Sequence, residues 1–168
     1  FTWNTVDTAY VERRTSLPVA SDRSYGDFDG NGSVDLAINS TSSIDLYRWS
    51  GNDCVMFAST PIATGSSKRF TPDLDGDGLA DLVCQTGSNL QIYQNVGSSF
   101  ILKGTVVMSN YSSTNPVFFN DVNGDGKADI IHIGNEGNQY VLCGNNSNES
   151  VLESIRTRIG TFIKIGYT

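Results

Sequence analysis

The sequence predicts an all-β protein made of β-propeller blades, each a sheet of four short antiparallel strands. Its 168 residues include 17 Gly but only 17% charged residues, and Ser, Thr and Asn are abundant. This composition suits short strands joined by many turns, whereas helices favour Ala, Leu, Glu and Lys. An acidic nine-residue motif also occurs three times, at spacings of 46 and 48 residues, and each copy is followed by an apolar run. Four strands in such a repeat match the size of a propeller blade.

The chain divides into five predicted segments. Residues 1–17 are expected to supply an outer strand of a preceding blade, and three blades follow at 18–60, 61–110 and 111–154. Residues 155–168 are predicted to form a Gly-centred hairpin that leads out of the propeller. A closed propeller needs about four to eight blades, so these three belong to a larger propeller or form an open, incomplete array. Because the chain begins with Phe, we expect a processed product or a piece of a longer protein.

Each blade is predicted to contain a strand, an acidic loop and then three further strands joined by turns. Apolar and polar residues alternate in residues 44–49 and, at equivalent positions, in residues 90–95. Period-two alternation is typical of strands with one buried face. A Gly-, Asn- or Ser-containing turn then leads to a final strand, predicted at 54–57 in the first blade and 100–102 in the second.

The acidic motif reads DFDGNGSVD at 27–35, DLDGDGLAD at 73–81 and DVNGDGKAD at 121–129. Side-chain oxygens occur at positions one, three, five and nine, and glycines at four and six allow the chain to bend around a common point. Position seven varies, as expected if it contributes only a carbonyl. Oxygen-only ligands on an adaptable loop favour Ca²⁺ over Mg²⁺. The predicted ligands of up to three structural Ca²⁺ ions are Asp27, Asp29, Asn31, Ser33 and Asp35; Asp73, Asp75, Asp77, Leu79 and Asp81; and Asp121, Asn123, Asp125, Lys127 and Asp129.

The loops resemble EF-hand loops only in part. An EF-hand ends with a bidentate Glu at position twelve, where this chain has Ile38, Cys84 and His132. Position nine is therefore expected to close the site. Ten of the 18 acidic residues lie in the three motifs, so the negative charge is concentrated where a cation would bind. The alternative is that the motifs are solvent-facing Asx turns without a metal.

Several classes of function are disfavoured. A net charge of −7 and a pI near 4.5 argue against nucleic-acid binding, which needs a basic face. No apolar run is long enough to span a membrane. The only histidine, His132, is predicted to be a packed strand residue, so we expect no enzyme activity. Cys54, Cys84 and Cys143 are expected to be small buried residues, although one disulfide is compatible with the sequence.

Three residues at the end of the predicted strand 44–49 admit two interpretations. Tyr47, Arg48 and Trp49 can form a rim that binds a sugar or a protein. At alternating strand spacing, packing between blades is the favoured interpretation of one face.

The motif D-x-[DN]-G-[DN]-G-x-x-D, with an aromatic residue before it, resembles the FG-GAP/VCBS repeat of integrin-α-like β-propellers over about residues 18–154. That resemblance implies a seven-bladed propeller with Ca²⁺-binding loops. Residues 151–167 are similar to the passage that follows these repeats in virulence-plasmid toxin B and insecticidal toxin-complex B proteins, with Arg156-Thr157-Arg158 in place of the usual Asn-Gly. In that family the propeller serves as a docking and gating module, and the toxic enzyme lies elsewhere.

The sequence therefore predicts a non-enzymatic calcium-binding propeller segment of a secreted, extracellular toxin-like or RHS-type protein. Its expected role is assembly or docking, with a protein partner or the remaining blades of the parent chain. The first alternative is an adhesion or carbohydrate-binding propeller with a glycan ligand. The second is an enzyme domain decorated with these repeats, which the absence of a recognisable catalytic motif disfavours.

Overall fold

The computed structural model describes residues 12, 14–18, 22–40, 42–62, 68–137, 139–142, 154–156 and 162–164. Every regular element within these ranges is a β-strand. The strands are β1 (Arg23–Gly26), β2 (Asp35–Asn39), β3 (Ile44–Trp49), β4 (Cys54–Thr60), β5 (Lys68–Phe70), β6 (Leu82–Thr86), β7 (Asn89–Asn95), β8 (Phe100–Val107), β9 (Val117–Asn120), β10 (Asp129–Ile133), β11 (Gln139–Leu142), β12 (Ser154–Arg156) and β13 (Phe162–Lys164).

The first eight strands form two four-stranded antiparallel sheets of the same topology. The first sheet has the order β1-β2-β3-β4 and the second has the order β5-β6-β7-β8. A third sheet contains β11, β10 and β9 in that order, and β12 pairs with β13. Each sheet is a meander in which chain neighbours pair, so local turns can determine its topology. The predicted all-β class and four-stranded antiparallel sheets are confirmed.

The first two sheets also share a register irregularity. The pairing of β3 with β4 shifts between Leu46 and Tyr47, and that of β7 with β8 shifts at the equivalent Ile92 and Tyr93. A bulge at this point increases strand twist and bends the outer strand. The outer strands extend to Thr60 and Val107, and are longer than the predicted final strands.

Two apolar cores lie between consecutive sheets. The first is built from the first and second sheets, and the edge-to-face rings of Phe28 and Phe100 meet in it with centroids 6.0 Å apart. The second core joins the second and third sheets, and includes Val83, Leu90 and Ile130. Each sheet thus buries apolar area against the next, as expected for repeats that cannot bury an apolar face alone.

Several predicted features fall outside the described residues. These include most of the outer strand predicted at 1–17, the end of the third blade and Cys143. The limits of the five predicted segments stay predictions, as does closure into a ring. Cys84 is buried, whereas Cys54 is only partly buried. His132 lies buried in β10 as predicted. Among the described residues, no helix has the length and apolarity needed to cross a membrane.

Candidate metal centre

The three acidic motifs occupy equivalent places in their sheets. Each connects the first strand of a sheet to the second, between β1 and β2, β5 and β6, and β9 and β10. We call them the first, second and third loops, defined by residues 27–35, 73–81 and 121–129. The Cα pairing of Gly26 with Asp35 closes the first loop at its base. Each motif is therefore held by a strand on either side.

The aspartate at position one organises each loop through backbone hydrogen bonds. Asp27 Oδ1 accepts from the N–H of Gly30 at 2.8 Å, and its Oδ2 accepts from Gly32 at 2.7 Å. Both glycines have positive φ values, 75° and 78°, which residues other than Gly rarely adopt. The glycines at positions four and six thus let the chain curl around the aspartate.

The same arrangement recurs in the other two loops. Asp73 accepts from Gly76 and Gly78 at 2.8 and 2.9 Å, and Asp121 accepts from Gly124 and Gly126 at 2.7 and 2.9 Å. The backbone donors, Gly126 foremost, lower the pKa of the Asp121 carboxyl, because hydrogen bonds to a carboxylate favour its ionised form.

Three carboxylates converge in each of the first two loops. One oxygen from each of Asp27, Asp29 and Asp35 lies within 4.8 Å of the others, and the same holds for Asp73, Asp75 and Asp81. The third loop has Asn123 at position three, and the described residues contain no third cluster of this kind. The structure therefore brings together positions one, three and nine of the first two loops.

The side chain at position five contacts the backbone of position seven in each loop. Side-chain oxygens of Asn31, Asp77 and Asp125 accept hydrogen bonds from the backbone N–H groups of Ser33, Leu79 and Lys127 at 2.7, 2.8 and 2.9 Å, respectively. The predicted carbonyl ligation by these three position-seven residues stays a prediction.

The aspartates at position nine are the buried members of the loops. Asp35, Asp81 and Asp129 are only 2%, 2% and 1% exposed. Burial is the main cause that raises the pKa of the Asp35 carboxyl, and burial raises that of Asp81 to about 6. Desolvation disfavours a charged carboxylate, so each closing aspartate needs compensating donors or a cation.

That compensation is incomplete at two of the three closing aspartates. Each uses Oδ2 to accept a backbone N–H from position two, at 2.9–3.0 Å. The Oδ1 atoms of Asp35 and Asp129 are buried and have no hydrogen-bond partner. Buried polar atoms are almost always paired, and a hard cation accepts several carboxylate oxygens. The donor set and these unpaired oxygens fit a Ca²⁺ ion.

The loops of adjacent sheets are bonded to one another. Ala80 N donates to Asp27 O at 2.7 Å, and Ala128 N donates to Asp73 O at 3.0 Å. In both cases position eight of one loop contacts position one of the preceding loop. The loops thus form a continuous row along one side of the stacked sheets.

Sequence reasoning missed three residues that contact the loops from neighbouring strands. Arg48 Nη1 lies 3.3 Å from Asp29 Oδ2, and Gln94 Nε2 donates to Asp75 Oδ2. Asn95 donates through its backbone to Asp81 Oδ1 at 2.8 Å. Their alignment in the repeat, at the ends of β3 and β7, was the available signal, but nothing local indicates that these strand ends reach the loops.

Comparison with known proteins agrees with the repeat and the fold. Residues 73–132 match the family model of the FG-GAP-like repeat. The predicted FG-GAP relationship is confirmed by that match. A sequence comparison with curated proteins found no match.

Solved structures share the fold of this chain. A chain of the Photorhabdus luminescens Tc holotoxin pore aligns with a TM-score of 0.59 and 22% identity, over 74% of this chain and 6% of its own. The crystal structure of TcdB2-TccC3 aligns with a TM-score of 0.54 and 24% identity, over 64% and 6%. An Agrocybe aegerita lectin that recognises non-reducing terminal N-acetylglucosamine aligns with a TM-score of 0.53 and 23% identity, over 75% and 35%.

These likenesses establish a common fold with toxin-complex proteins, as the tail of the sequence led us to expect. At such identities they carry the fold and not the activity. The chain spans only 6% of the toxin chains that it resembles.

Proposed function

We propose that this chain is a non-enzymatic, calcium-binding propeller segment of a secreted toxin-like protein, and that it acts in assembly with further blades of its parent protein. The observation that carries the calcium proposal is the buried, unpaired Oδ1 of Asp35 in a carboxylate whose oxygen lies within 4.8 Å of oxygens of Asp27 and Asp29. Three like charges this close repel one another. A bound divalent cation would turn that repulsion into attraction between the loop and β2.

Calcium would act structurally in this proposal. Asp27 and Asp29 lie in the loop whereas Asp35 begins β2, so a shared ion would fasten the loop to the sheet. Asp129 Oδ1 supports a corresponding site in the third loop. In the second loop, Asp73, Asp75 and Asp81 supply the clustered carboxylates.

A thermal melt tests the calcium proposal. We expect EGTA to lower the melting temperature and added Ca²⁺ to restore it, because a ligand at 100 times its dissociation constant stabilises the folded state by about 2.7 kcal/mol per site. Mg²⁺ at the same concentration is the matched control and should restore less. Equal melting temperatures in EGTA and in millimolar Ca²⁺ would contradict the proposal.

The assembly proposal rests on the equivalence of two faces, one on the second sheet and the other on the first. Second-sheet residues Ala80, Leu82 and Phe100 pack on the first sheet in the first core. Their first-sheet equivalents are Val34, Leu36 and Cys54, 46 residues earlier in each case. We call the surface at these positions the first-sheet face; it comprises Tyr25, Val34, Leu36, Tyr47, Trp49 and Cys54.

The first-sheet face exposes several large apolar side chains. Tyr25, Val34 and Trp49 are 59%, 70% and 47% exposed, and a cavity of about 220 Å³ lies among residues of this face. Since its second-sheet counterpart packs on a blade, the occupant that fits here is another blade of the same type. Continuity of the inter-sheet packing therefore favours assembly over an isolated role.

Binding of a separately expressed flanking segment, taken from the complete reading frame of the parent protein, tests this role. We expect Val34→Glu to weaken that binding at least tenfold, because it puts a charge in an apolar contact. Val55→Glu is the matched control, since Val55 is also exposed but lies on the outer strand β4. Equal binding by both variants would contradict the assembly role.

Carbohydrate binding is the second candidate, favoured by the aromatic residues of the same cavity and by the fold shared with the Agrocybe aegerita lectin. Titration with N-acetylglucosamine, followed by tryptophan fluorescence, separates the candidates. Saturable quenching that Trp49→Ala abolishes would replace the assembly role with glycan binding. An unchanged spectrum up to millimolar sugar is the result we expect.

A further inference from the structure

Equivalent strand residues hold the position-three aspartate in the first two loops. Arg48 and Gln94 are each the next-to-last residue of their strands, β3 and β7. Arg48 Nη1 lies 3.3 Å from Asp29 Oδ2, and Gln94 Nε2 donates to Asp75 Oδ2. Both pairs are 19 residues apart in sequence. The same contact is thus made twice, by a cation in one sheet and by a neutral amide in the other.

These contacts complete the orientation of the aspartate. Asp29 Oδ1 accepts the backbone N–H of Asn31 at 3.2 Å, and Asp75 Oδ1 accepts that of Asp77 at 3.3 Å. In each loop the backbone therefore holds one carboxylate oxygen and the strand side chain holds the other. The strand residue occupies the same position beside both loops, but it is charged at the first loop and neutral at the second.

The Arg48 side chain is 55% exposed, and its guanidinium has an aromatic neighbour. It lies over the ring of Phe57, 5.6 Å from the ring centroid, and the Asp29 side chain is only 14% exposed. An arginine stays charged at any physiological pH. A positive charge therefore lies beside the first carboxylate cluster, where it attracts the same oxygens as a bound cation would.

We propose that Arg48 sets the calcium affinity of the first loop, by competing for Asp29 and by repelling the divalent ion, whereas Gln94 orients Asp75 without this cost. This inference rests on the proposed calcium site. It predicts that exchanging the two residues alters affinity in opposite directions. A residue that only supported the fold would weaken calcium binding when replaced, and never strengthen it.

The test is a calcium titration of the 168-residue chain followed by ¹H–¹⁵N NMR. The amides of Gly32 and Gly78 report on the first and second loops separately, because each donates to the position-one aspartate of its own loop, at 2.7 and 2.9 Å. Removing one charge a few ångströms from a divalent ion in a solvated site changes affinity by about three- to tenfold. We expect Arg48→Gln to tighten binding by this factor at Gly32 and to leave Gly78 unchanged.

Two further variants complete the design. Arg48→Lys keeps the charge and should bind calcium as the wild type does, whereas Gln94→Arg should weaken binding at Gly78 by a similar factor. The difference in calcium affinity between Arg48→Gln and the wild type should become smaller in 0.5 M KCl, because salt screens the charge of Arg48. Thermal melts in EGTA verify that each variant folds. If Gln94→Arg does not fold, the comparison of Arg48→Gln with Arg48→Lys is sufficient to test the role of Arg48.

The outcomes separate this inference from the calcium proposal. Calcium binding at Gly32 with equal affinity in Arg48→Gln and the wild type, or weaker binding in the variant, would overturn the role of Arg48 and leave the calcium site standing. No response of Gly32 or Gly78 in the wild type would overturn the calcium site, and with it this role.

Discussion

The closing aspartates of the first and second loops sit in the same place but are satisfied differently. Asp35 and Asp81 are equally buried, and each accepts a backbone N–H on Oδ2, from Phe28 and Leu74. Asp81 Oδ1 also accepts the backbone N–H of Asn95, whereas Asp35 Oδ1 has no partner. The protein therefore satisfies both oxygens of the second carboxylate and leaves one oxygen of the first without a hydrogen-bond partner.

The difference comes from one strand-end position. Asn95 lies inside the contact between the first two sheets, where its side chain donates to Phe28 O at 2.9 Å and Ala80 O at 3.1 Å. The equivalent residue of the first sheet is Trp49, which is half exposed. A repeat that faces another repeat thus uses this position for hydrogen bonds, while the first sheet presents an aromatic ring there.

The largest expected effect concerns the contact between the end of β1 and the second loop. A Cβ added at Gly26 would lie 2.5 Å from the Cβ of Ala80, and neither atom can move without moving backbone. We expect Gly26→Ala to destabilise the protein by about 2–3 kcal/mol in urea denaturation. Gly104→Ala is the matched control, since nothing lies within 4 Å of its added Cβ, and it should change stability by less than about 0.5 kcal/mol. Equal stability of the two variants would show that the sheets do not pack this closely.

Asn95→Ala should produce the next largest effect. It removes the donor to two buried carbonyls, those of Phe28 and Ala80, and unsatisfied buried acceptors cost about 1–3 kcal/mol. Asn89→Ala, at the exposed start of the same strand, is the control and should be nearly neutral. A loss of stability in urea no larger than that of the control would contradict the bridging role of Asn95.

The two closing aspartates should respond oppositely to the same substitution. In EGTA, Asp81→Asn replaces an oxygen that accepts a backbone N–H with an amide donor, so we expect a loss of about 1–2 kcal/mol. Asp35→Asn removes a buried charge and keeps an acceptor for Phe28, so stability should rise by up to about 1 kcal/mol. Melting temperatures of both variants in EGTA check this contrast, and a fall in both would contradict it.

The smallest effect distinguishes the outer turns of the two sheets. In the first sheet, Asp53 accepts the Ser16 hydroxyl at 2.6 Å and its backbone N–H at 3.0 Å, whereas the second sheet has Ser99 at this place. The Ser16 hydroxyl is the main cause that lowers the pKa of the Asp53 carboxyl below its ordinary value of 3.8. This contact therefore adds stability above the ordinary pKa, and the contribution is lost as the pH falls through the lowered pKa.

Ser16→Ala should shift the pKa of Asp53 upward, toward its ordinary value. An NMR titration of the Asp53 carboxyl measures the shift. Ser50→Ala is the control, because the Ser50 hydroxyl donates to the backbone carbonyl of Asp53 at 2.9 Å and not to its carboxylate. An unchanged Asp53 titration in Ser16→Ala would show that this contact does not form in solution.

Much of the candidate site could be predicted because loop geometry is local. The Asp–Gly spacing alone places Gly30 and Gly32 around Asp27, since an aspartate bonds to backbone N–H groups a few residues ahead. Asp35 could be predicted as the closing residue because the apolar run of the next strand begins directly after it. By contrast, Cys54 was expected to be buried and is only partly buried, because its burial depends on what packs against the first sheet.

By itself, the sequence determined the strands, their pairing in each meander and the acidic loops, because alternation and turn chemistry act between residues close in the chain. Only the tertiary structure decided which oxygens are satisfied and which charges lie beside them. Asn95 reaches Phe28 across 67 residues, and Arg48 reaches Asp29 from a different strand. Such contacts depend on how sheets twist and stack, and no local pattern of residues encodes a contact between residues so far apart in the chain.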